Sequence, residues 1–294
     1  MTLQIGNVLI ELQGLAPDLV PAHTRTFIVS DDQPAALCYH FHLVDILPEP
    51  SDLWTPVYQK NVLTVYANGP LERRLLTDPN GMIPYAVYEE VSDREIDVFF
   101  LRPLLRELVI DTIFHSCLAL ERHFARLDSY VLHCSCLIYQ DQAVLFSGPS
   151  GIGKSTHADL WVRHIPGAYV MNGDRCLISV SPDGTYYANA WPVCGSSEIC
   201  HLGRFPLRAI VFMGQSPTND LTDLNLMQRL RLLNMQLMVN HWNPDATRIA
   251  LDWMTRLVST IDIKHYACNL TPEAPLLLAS TLFPTDSYSD TESH

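Results

Sequence analysis

The stretch Gln142-Ala143-Val144-Leu145-Phe146-Ser147-Gly148-Pro149-Ser150-Gly151-Ile152-Gly153-Lys154-Ser155-Thr156 decides how this chain is read. Gly148 to Ser155 matches G-x-x-x-x-G-K-[S/T] at every position. An apolar run leads in, and the helical pattern HADLWVRH (157–164) leads out. The chemistry of such a loop needs these residue types. Glycines let the backbone wrap so that successive N–H groups point at phosphate oxygens. The N-terminus of the following helix adds roughly half a positive charge. Lys154 supplies a full charge to the β- and γ-phosphates, and the Ser155 hydroxyl suits Mg²⁺, with Thr156 in support. Gly148, Pro149, Ser150, Gly151, Ile152, Gly153, Lys154, Ser155 and Thr156 are therefore the expected nucleotide-binding segment, and ATP and Mg²⁺ the expected cofactors. Lys154 stands out further as one of only three lysines, with Lys60 and Lys264.

Outward from the loop, Asp174 ends the next expected strand, AYVMNGD (168–174). There an acid would face the metal and the acceptor hydroxyl; an ordinary turn aspartate in Asn-Gly-Asp is the plainer reading. His133 lies on the strand before the loop strand, in LHCS. It either faces the nucleotide and metal or is a satisfied core histidine. His157, on the loop helix, is expected at the helix surface or against nucleotide.

The first hundred residues read as strands and turns. VLIEL (8–12), TFIV (26–29), ALCYHFHLV (36–44), VLTVYA (62–67), IPYAVYEEV (83–91) and IDVFFL (96–101) are rich in β-branched and aromatic residues. With no helical crossover between them, an antiparallel arrangement is expected. The period changes near Leu104, and LLRELVIDTIFHSCLALERHFARL (104–127) predicts one long, well-buried helix. The expected organisation is a β-rich N-terminal domain over 1–103 and an α/β nucleotide-binding domain over 104–294. Helices are expected around 224–239 and 244–259, a strand at RAIVFMG (208–214), and a frayed polar tail over 285–294. The fold class is α/β, with α+β character.

The 294 residues carry 19 basic and 32 acidic side chains, a net charge of −13. That balance argues against general nucleic-acid binding and against docking on anionic membranes. Apolar stretches are broken by charges well before the ~20 residues of a membrane span. The eight cysteines form no CxxC pair, and MTLQIGNVLIELQ lacks the marks of a secretory signal, so reduced thiols in the cytoplasm are expected.

LHCSCLIYQDQAVLFSGPSGIGKST (132–156) resembles the nucleotide-binding core shared by HPr kinase/phosphorylase and ATP-dependent phosphoenolpyruvate carboxykinase. Both families place a histidine on a strand, then an apolar strand, the phosphate loop, and one or two aspartates after the next strand. The resemblance implies that Asp174 is the catalytic base or a metal ligand and that His133 lies beside the phosphates. In NGDR, Asp174 precedes Arg175, and Gly173 stands where the HPr kinase pattern has its first aspartate. SSEICHLGR (196–204) echoes that family's Leu-Glu-Ile-Arg-Gly signature, with Cys200 and His201 in place of its Arg and Gly. By this likeness Glu198 is a further metal candidate, and Arg204 or Arg208 a compensating charge on the transferred group. The implied catalytic set is Asp174, Lys154, His133 and Arg204; the implied metal set is Ser155, Asp174 and Glu198. The pattern is most similar to the HPr-kinase-like proteins of an uncharacterised bacterial branch. It implies ATP- and Mg²⁺-dependent phosphoryl transfer to a hydroxyl of an unidentified protein, peptide or metabolite. The alternatives are a nucleotide-binding pseudokinase and, ranked lower, a carboxykinase-like lyase, whose family is longer and uses an upstream lysine.

Cys38, His40 and His42 alternate along one strand and share a face, which suits zinc ligation or a plain polar face. Cys134 and Cys136 read as buried thiols. LNLMQRLRLLNMQLMV (224–239) reads as a buried or dimer-facing helix, leaving a homo-oligomer open.

Overall fold

The computed structural model describes residues 1–30, 33–60 and 62–284, so the expected frayed tail lies outside the described residues. The chain forms two compact units. The first holds Met1–Tyr130, Asn189–Val193 and Val239–Ala250; the second holds Val131–Ala188, Cys194–Met238 and the chain from Leu251 onward. The architecture is mixed α/β, with two β-sheets and several helices. Among the described residues, no helix is long and apolar enough to cross a membrane.

The first unit is built on a nine-stranded sheet. Its strands are β1 (Thr2–Ile5), β2 (Val8–Gln13), β3 (Ile28–Val29), β4 (Leu37–Val44), β5 (Thr55–Lys60), β6 (Leu63–Asn68), β7 (Leu71–Thr77), β8 (Pro84–Glu90) and β9 (Glu95–Leu101). They lie in the order β3-β1-β2-β4-β9-β8-β7-β6-β5. The short helix α1 (Ala22–Arg25) precedes β3. The sheet is not wholly antiparallel as expected, because β4 pairs in parallel with both β2 and β9. Period-two alternation is the same for either direction of pairing, so strand composition does not report it. The alternation itself is clear in β4. Leu37, Tyr39 and Phe41 are buried, while Cys38, His40 and His42 lie on the other face.

The stretch expected as one helix is three pieces: a 3-10 segment (Arg102–Val109), α2 (Asp111–Leu118) and α3 (Leu120–Arg126). Ala119, between α2 and α3, takes a left-handed conformation at φ 46°. A helical hydrophobic period survives such a break, which is why the sequence reads as continuous. These helices pack on the N-terminal sheet rather than opening the second unit. Tyr39 Oη donates to Leu118 O at 2.6 Å, and Arg122 Nε donates to Glu90 Oε1 at 2.6 Å. The compact unit therefore runs to Tyr130, past the expected division at 103/104.

Beneath α3 the sheet carries a buried ionic network. Arg74 donates to Glu72 and Glu121, and Arg122 to Glu90. Trp242 Nε1 donates to Glu72 Oε2 at 3.1 Å. Charges taken out of water survive only when paired and hydrogen-bonded, and each of these is.

The second unit contains β10 (Ser129–Tyr139), β11 (Gln142–Ser147), α4 (Lys154–His164), β12 (Tyr169–Asn172), β13 (Arg175–Val180), β14 (Tyr186–Asn189), β15 (Arg204–Gln215), β16 (Asp220–Asp223), α5 (Leu226–Gln236), β17 (Asp262–Cys268) and α7 (Glu273–Leu282). The helix α6 (Pro244–Thr260) precedes β17. Its sheet runs β11-β10-β13-β14-β15-β17-β16, with β12 on β10 and a further β11–β15 pairing. β15 is parallel to both β11 and β17. Trp161 of α4, Phe146 of β11, Tyr266 of β17 and Leu278 of α7 meet in one core. That core fixes α4 against the strand that feeds it. Of the two expected readings of the apolar helix α5, buried or dimer-facing, full burial within the chain does not hold: Leu226, Met227 and Met235 are exposed.

Candidate functional site

The loop Gly148–Gly153 joins β11 to α4, the strand–loop–helix order that its motif requires. Gly148 has φ +141°, and a Cβ there would lie 3.2 Å from Ile152 Cγ2, so the turn needs glycine. Gly153 ends the loop in a left-handed conformation, and α4 starts without a side-chain cap. The first N–H groups of an uncapped helix are free to meet an anion. Ser155 and Thr156 are exposed on this first turn, whereas Lys154 is buried. Lys154 Nζ donates to Gly148 O at 3.0 Å and to Pro149 O at 3.1 Å. Burial lowers its pKa from the ordinary lysine value, with the charge of Asp174 acting in the opposite direction.

Asp174 follows β12 in a turn that Asn172 holds. Asn172 Oδ1 accepts from the backbone N–H of Asp174 and of Arg175, both at 2.9 Å. The Asp174 carbonyl accepts from Cys134 N at 2.9 Å, tying the turn to β10. The Asp174 carboxylate lies 3.6 Å from His133 Nε2 and 3.2 Å from Arg175 Nε. His133 Nδ1 is 3.1 Å from Gln236 Oε1, at the end of α5. Burial lowers the His133 pKa and the Lys154 charge lowers it further, while the Gln236 hydrogen bond and the Asp174 charge act the other way. His133, Lys154, Asp174 and Arg175 thus form one electrostatic group beside the loop, half-buried apart from Lys154.

The two arginines, Arg204 and Arg208, are engaged elsewhere, whereas the 195–199 segment that carries Glu198 packs on the Gly173–Asp174 turn. Arg204 opens β15, and its guanidinium carbon sits 3.6 Å from the centroid of the Tyr187 ring. The phosphate loop lies beside the far end of that strand, where Ser147 pairs with Phe212. Arg204 is therefore committed to a cation–π contact, and Arg175 is the arginine beside Asp174. Arg208 donates to Leu282 O at 2.8 Å. Glu198 is exposed, at φ 54°, and its carboxylate makes no hydrogen bond or ion pair among the described residues. His157 is not at the helix surface. It is buried in the core, accepts from Trp161 Nε1 at 3.1 Å, and burial pushes its pKa down to about 4. Cys134 and Cys136 are buried thiols, raised in pKa by burial, as expected.

Sequence reasoning missed Gln236 and Ser197. Gln236 is 103 residues from His133, on an amphipathic helix whose period gives no hint of a polar role at its end. Ser197 explains the glycine where a first aspartate was looked for. A Cβ at Gly173 would fall on the Ser197 side chain, well inside contact distance. The Ser197 hydroxyl is itself held by Cys194 O at 2.6 Å.

No family model matches this sequence, and no curated protein matches it. Among solved structures, the HPr(Ser) kinase/phosphatase from Coxiella burnetii is similar over 52% of this chain and 92% of that chain, at 12% identity and a TM-score of 0.30. The chemistry of the site accordingly follows from its own residues.

Proposed function

We propose that the chain binds ATP with Mg²⁺ at Gly148–Thr156 and transfers the γ-phosphoryl group to a hydroxyl of a protein, peptide or metabolite. The observation that carries this reading is the loop itself: a complete phosphate-loop motif between strand and uncapped helix, with the His133–Asp174 pair beside Lys154. The loop amides and Lys154 hold the β- and γ-phosphates, Lys154 exchanging its bonds to the Gly148 and Pro149 carbonyls for phosphate oxygens. The Ser155 hydroxyl and, where it does not serve as base, the Asp174 carboxylate are hard oxygen donors, the kind Mg²⁺ takes, and would hold it; the ion would neutralise charge on the transferred group. Asp174 accepts the proton of the acceptor hydroxyl as its oxygen bonds to the γ-phosphorus. The bond from that phosphorus to the β–γ bridging oxygen breaks, and ADP leaves. His133, anchored by Gln236, stands 3.6 Å from the Asp174 carboxylate and would border the transferred group. Arg175, rather than Arg204 or Arg208, would supply the positive charge beside the transferred group.

The second reading is a nucleotide-binding protein without turnover. It is favoured by Ser197 occupying the space that an aspartate at position 173, the first of the pattern, would need. Titration calorimetry of ATP with Mg²⁺ into wild type and Lys154→Ala, followed by γ-labelled ATP with hydroxyl acceptors, separates the readings. Binding lost in the variant together with label on an acceptor supports the kinase. Binding without transfer supports the second reading, and binding unaffected by the substitution overturns both.

A further inference from the structure

The face of β4 turned away from the core carries a cluster that phosphoryl transfer does not use. Cys38 and His40 sit two residues apart on it, and parallel pairing places Glu95 of β9 directly beside Cys38. On the other side, β2 brings Glu11 into register with Cys38. Three adjacent strands thus converge a thiol, an imidazole and two carboxylates. His40 Nε2 lies 2.7 Å from Glu95 Oε2 and 3.7 Å from Cys38 Sγ, so one ring nitrogen faces both partners. Cys38 Sγ donates to Glu11 Oε2 at 3.8 Å. The donor atoms of Cys38, His40 and Glu95 all fall within 4.8 Å of one another.

Tetrahedral zinc, at its usual bond lengths to sulfur, nitrogen and oxygen, sets its donors roughly 3.3–3.5 Å apart. The sulfur–nitrogen distance of 3.7 Å and the nitrogen–oxygen distance of 2.7 Å differ from that by less than ~1 Å, within reach of side-chain torsions. We infer that Cys38, His40 and Glu95 are the ligands of a zinc site on the N-terminal sheet. The donor set fits the metal: a soft thiolate and an imidazole select a borderline cation over Mg²⁺ or Ca²⁺. Burial, with the charges of Glu95 and Glu11, pushes the Cys38 thiol up to about 11, and a cation among these groups reverses that balance. On binding, the sulfur–hydrogen bond is exchanged for a sulfur–zinc bond, and the proton leaves through Glu11 to solvent.

The fold supplies its own control. Two residues along the same face, His42 Nε2 pairs with Asp97 Oδ1 at 2.8 Å, a histidine–carboxylate pair of the same kind. The full chain, reduced and stripped by chelator dialysis, is titrated with Zn²⁺ against a chromophoric competitor and, separately, with Co²⁺. About one equivalent of zinc is expected, and cobalt should give a thiolate charge-transfer band. Cys38→Ser should abolish that band; His40→Ala and Glu95→Gln should each weaken zinc binding at least about tenfold. His42→Ala should leave both unchanged. His40 and Glu95 are partly exposed, so their variants carry the test if Cys38→Ser fails to fold. Absence of zinc binding overturns the inference. So does equal binding to wild type and Glu95→Gln, or equal loss in His42→Ala.

Discussion

Glu90 is the most heavily bonded carboxylate of the buried network, and neutralising it tests how that network holds the first unit. Its side chain accepts from Arg122 Nε at 2.6 Å, Arg122 Nη2 at 3.0 Å, Tyr88 Oη at 2.8 Å, Arg126 Nη2 at 3.3 Å and the Glu72 amide at 3.0 Å. Burial alone would raise its pKa, but the Arg122 hydrogen bonds and charge, then Arg126, outweigh it and bring the pKa from 4.5 to about 2. At 1.36 kcal/mol per unit, that shift contributes about 3 kcal/mol of stability. Because the folded-state pKa is depressed, this stability is present above the unfolded value of 4.5 and is lost as the pH falls from there through about 2. Glu90→Gln keeps the shape, removes the charge and leaves buried Arg122 under-compensated. Urea unfolding at neutral pH should show the variant weaker by about 3 kcal/mol, a fall of roughly 6–12 °C in midpoint temperature for a unit of this size. The gap from wild type should close as the pH falls towards about 2. A loss below about 1 kcal/mol, or a gap that does not change with pH, would refute the assignment of that stability to the Glu90 charge.

Lys154→Ala removes charge-assisted bonds worth about 1.5–3 kcal/mol, so ATP affinity should drop about tenfold to a hundredfold by calorimetry. Gly173→Asp should destabilise the second unit by about 1–3 kcal/mol through collision with Ser197, and Ser197→Gly in the same chain should recover most of it in thermal unfolding. His157 has a folded pKa of about 4, below the ordinary 6.5, so its contribution is intact above pH 6.5 and declines as the pH falls towards 4. Wild type should therefore lose roughly 3 kcal/mol over that window relative to His157→Phe, measured by urea unfolding at each pH.

The phosphate-loop motif and its strand–loop–helix setting were legible because the residues that define them are contiguous. Glycines, a lysine and a hydroxyl must follow one another for the backbone to wrap an anion, and no distant residue can substitute. Cys38 and His40 were legible as sharing a face, since strand alternation is a local property. The position of Asp174 after the next strand was legible from strand composition. Gln236 beside His133, Ser197 beneath Gly173, and Glu95 beside Cys38 were not, because each partner arrives from a distant element whose own local pattern is ordinary. Arg204 shows the converse. Its position near a family-like signature suggested the site, yet the strand it opens delivers it to Tyr187.

The sequence alone determined the loop motif, the alternation along the strands and the mixed α/β class, all set by neighbours a few residues apart. Only the tertiary structure decided the parallel pairing around β4, the break at Ala119 and the burial of His157. These depend on which distant elements compete for the same apolar face and the same hydrogen bonds, and a one-dimensional pattern does not encode that competition.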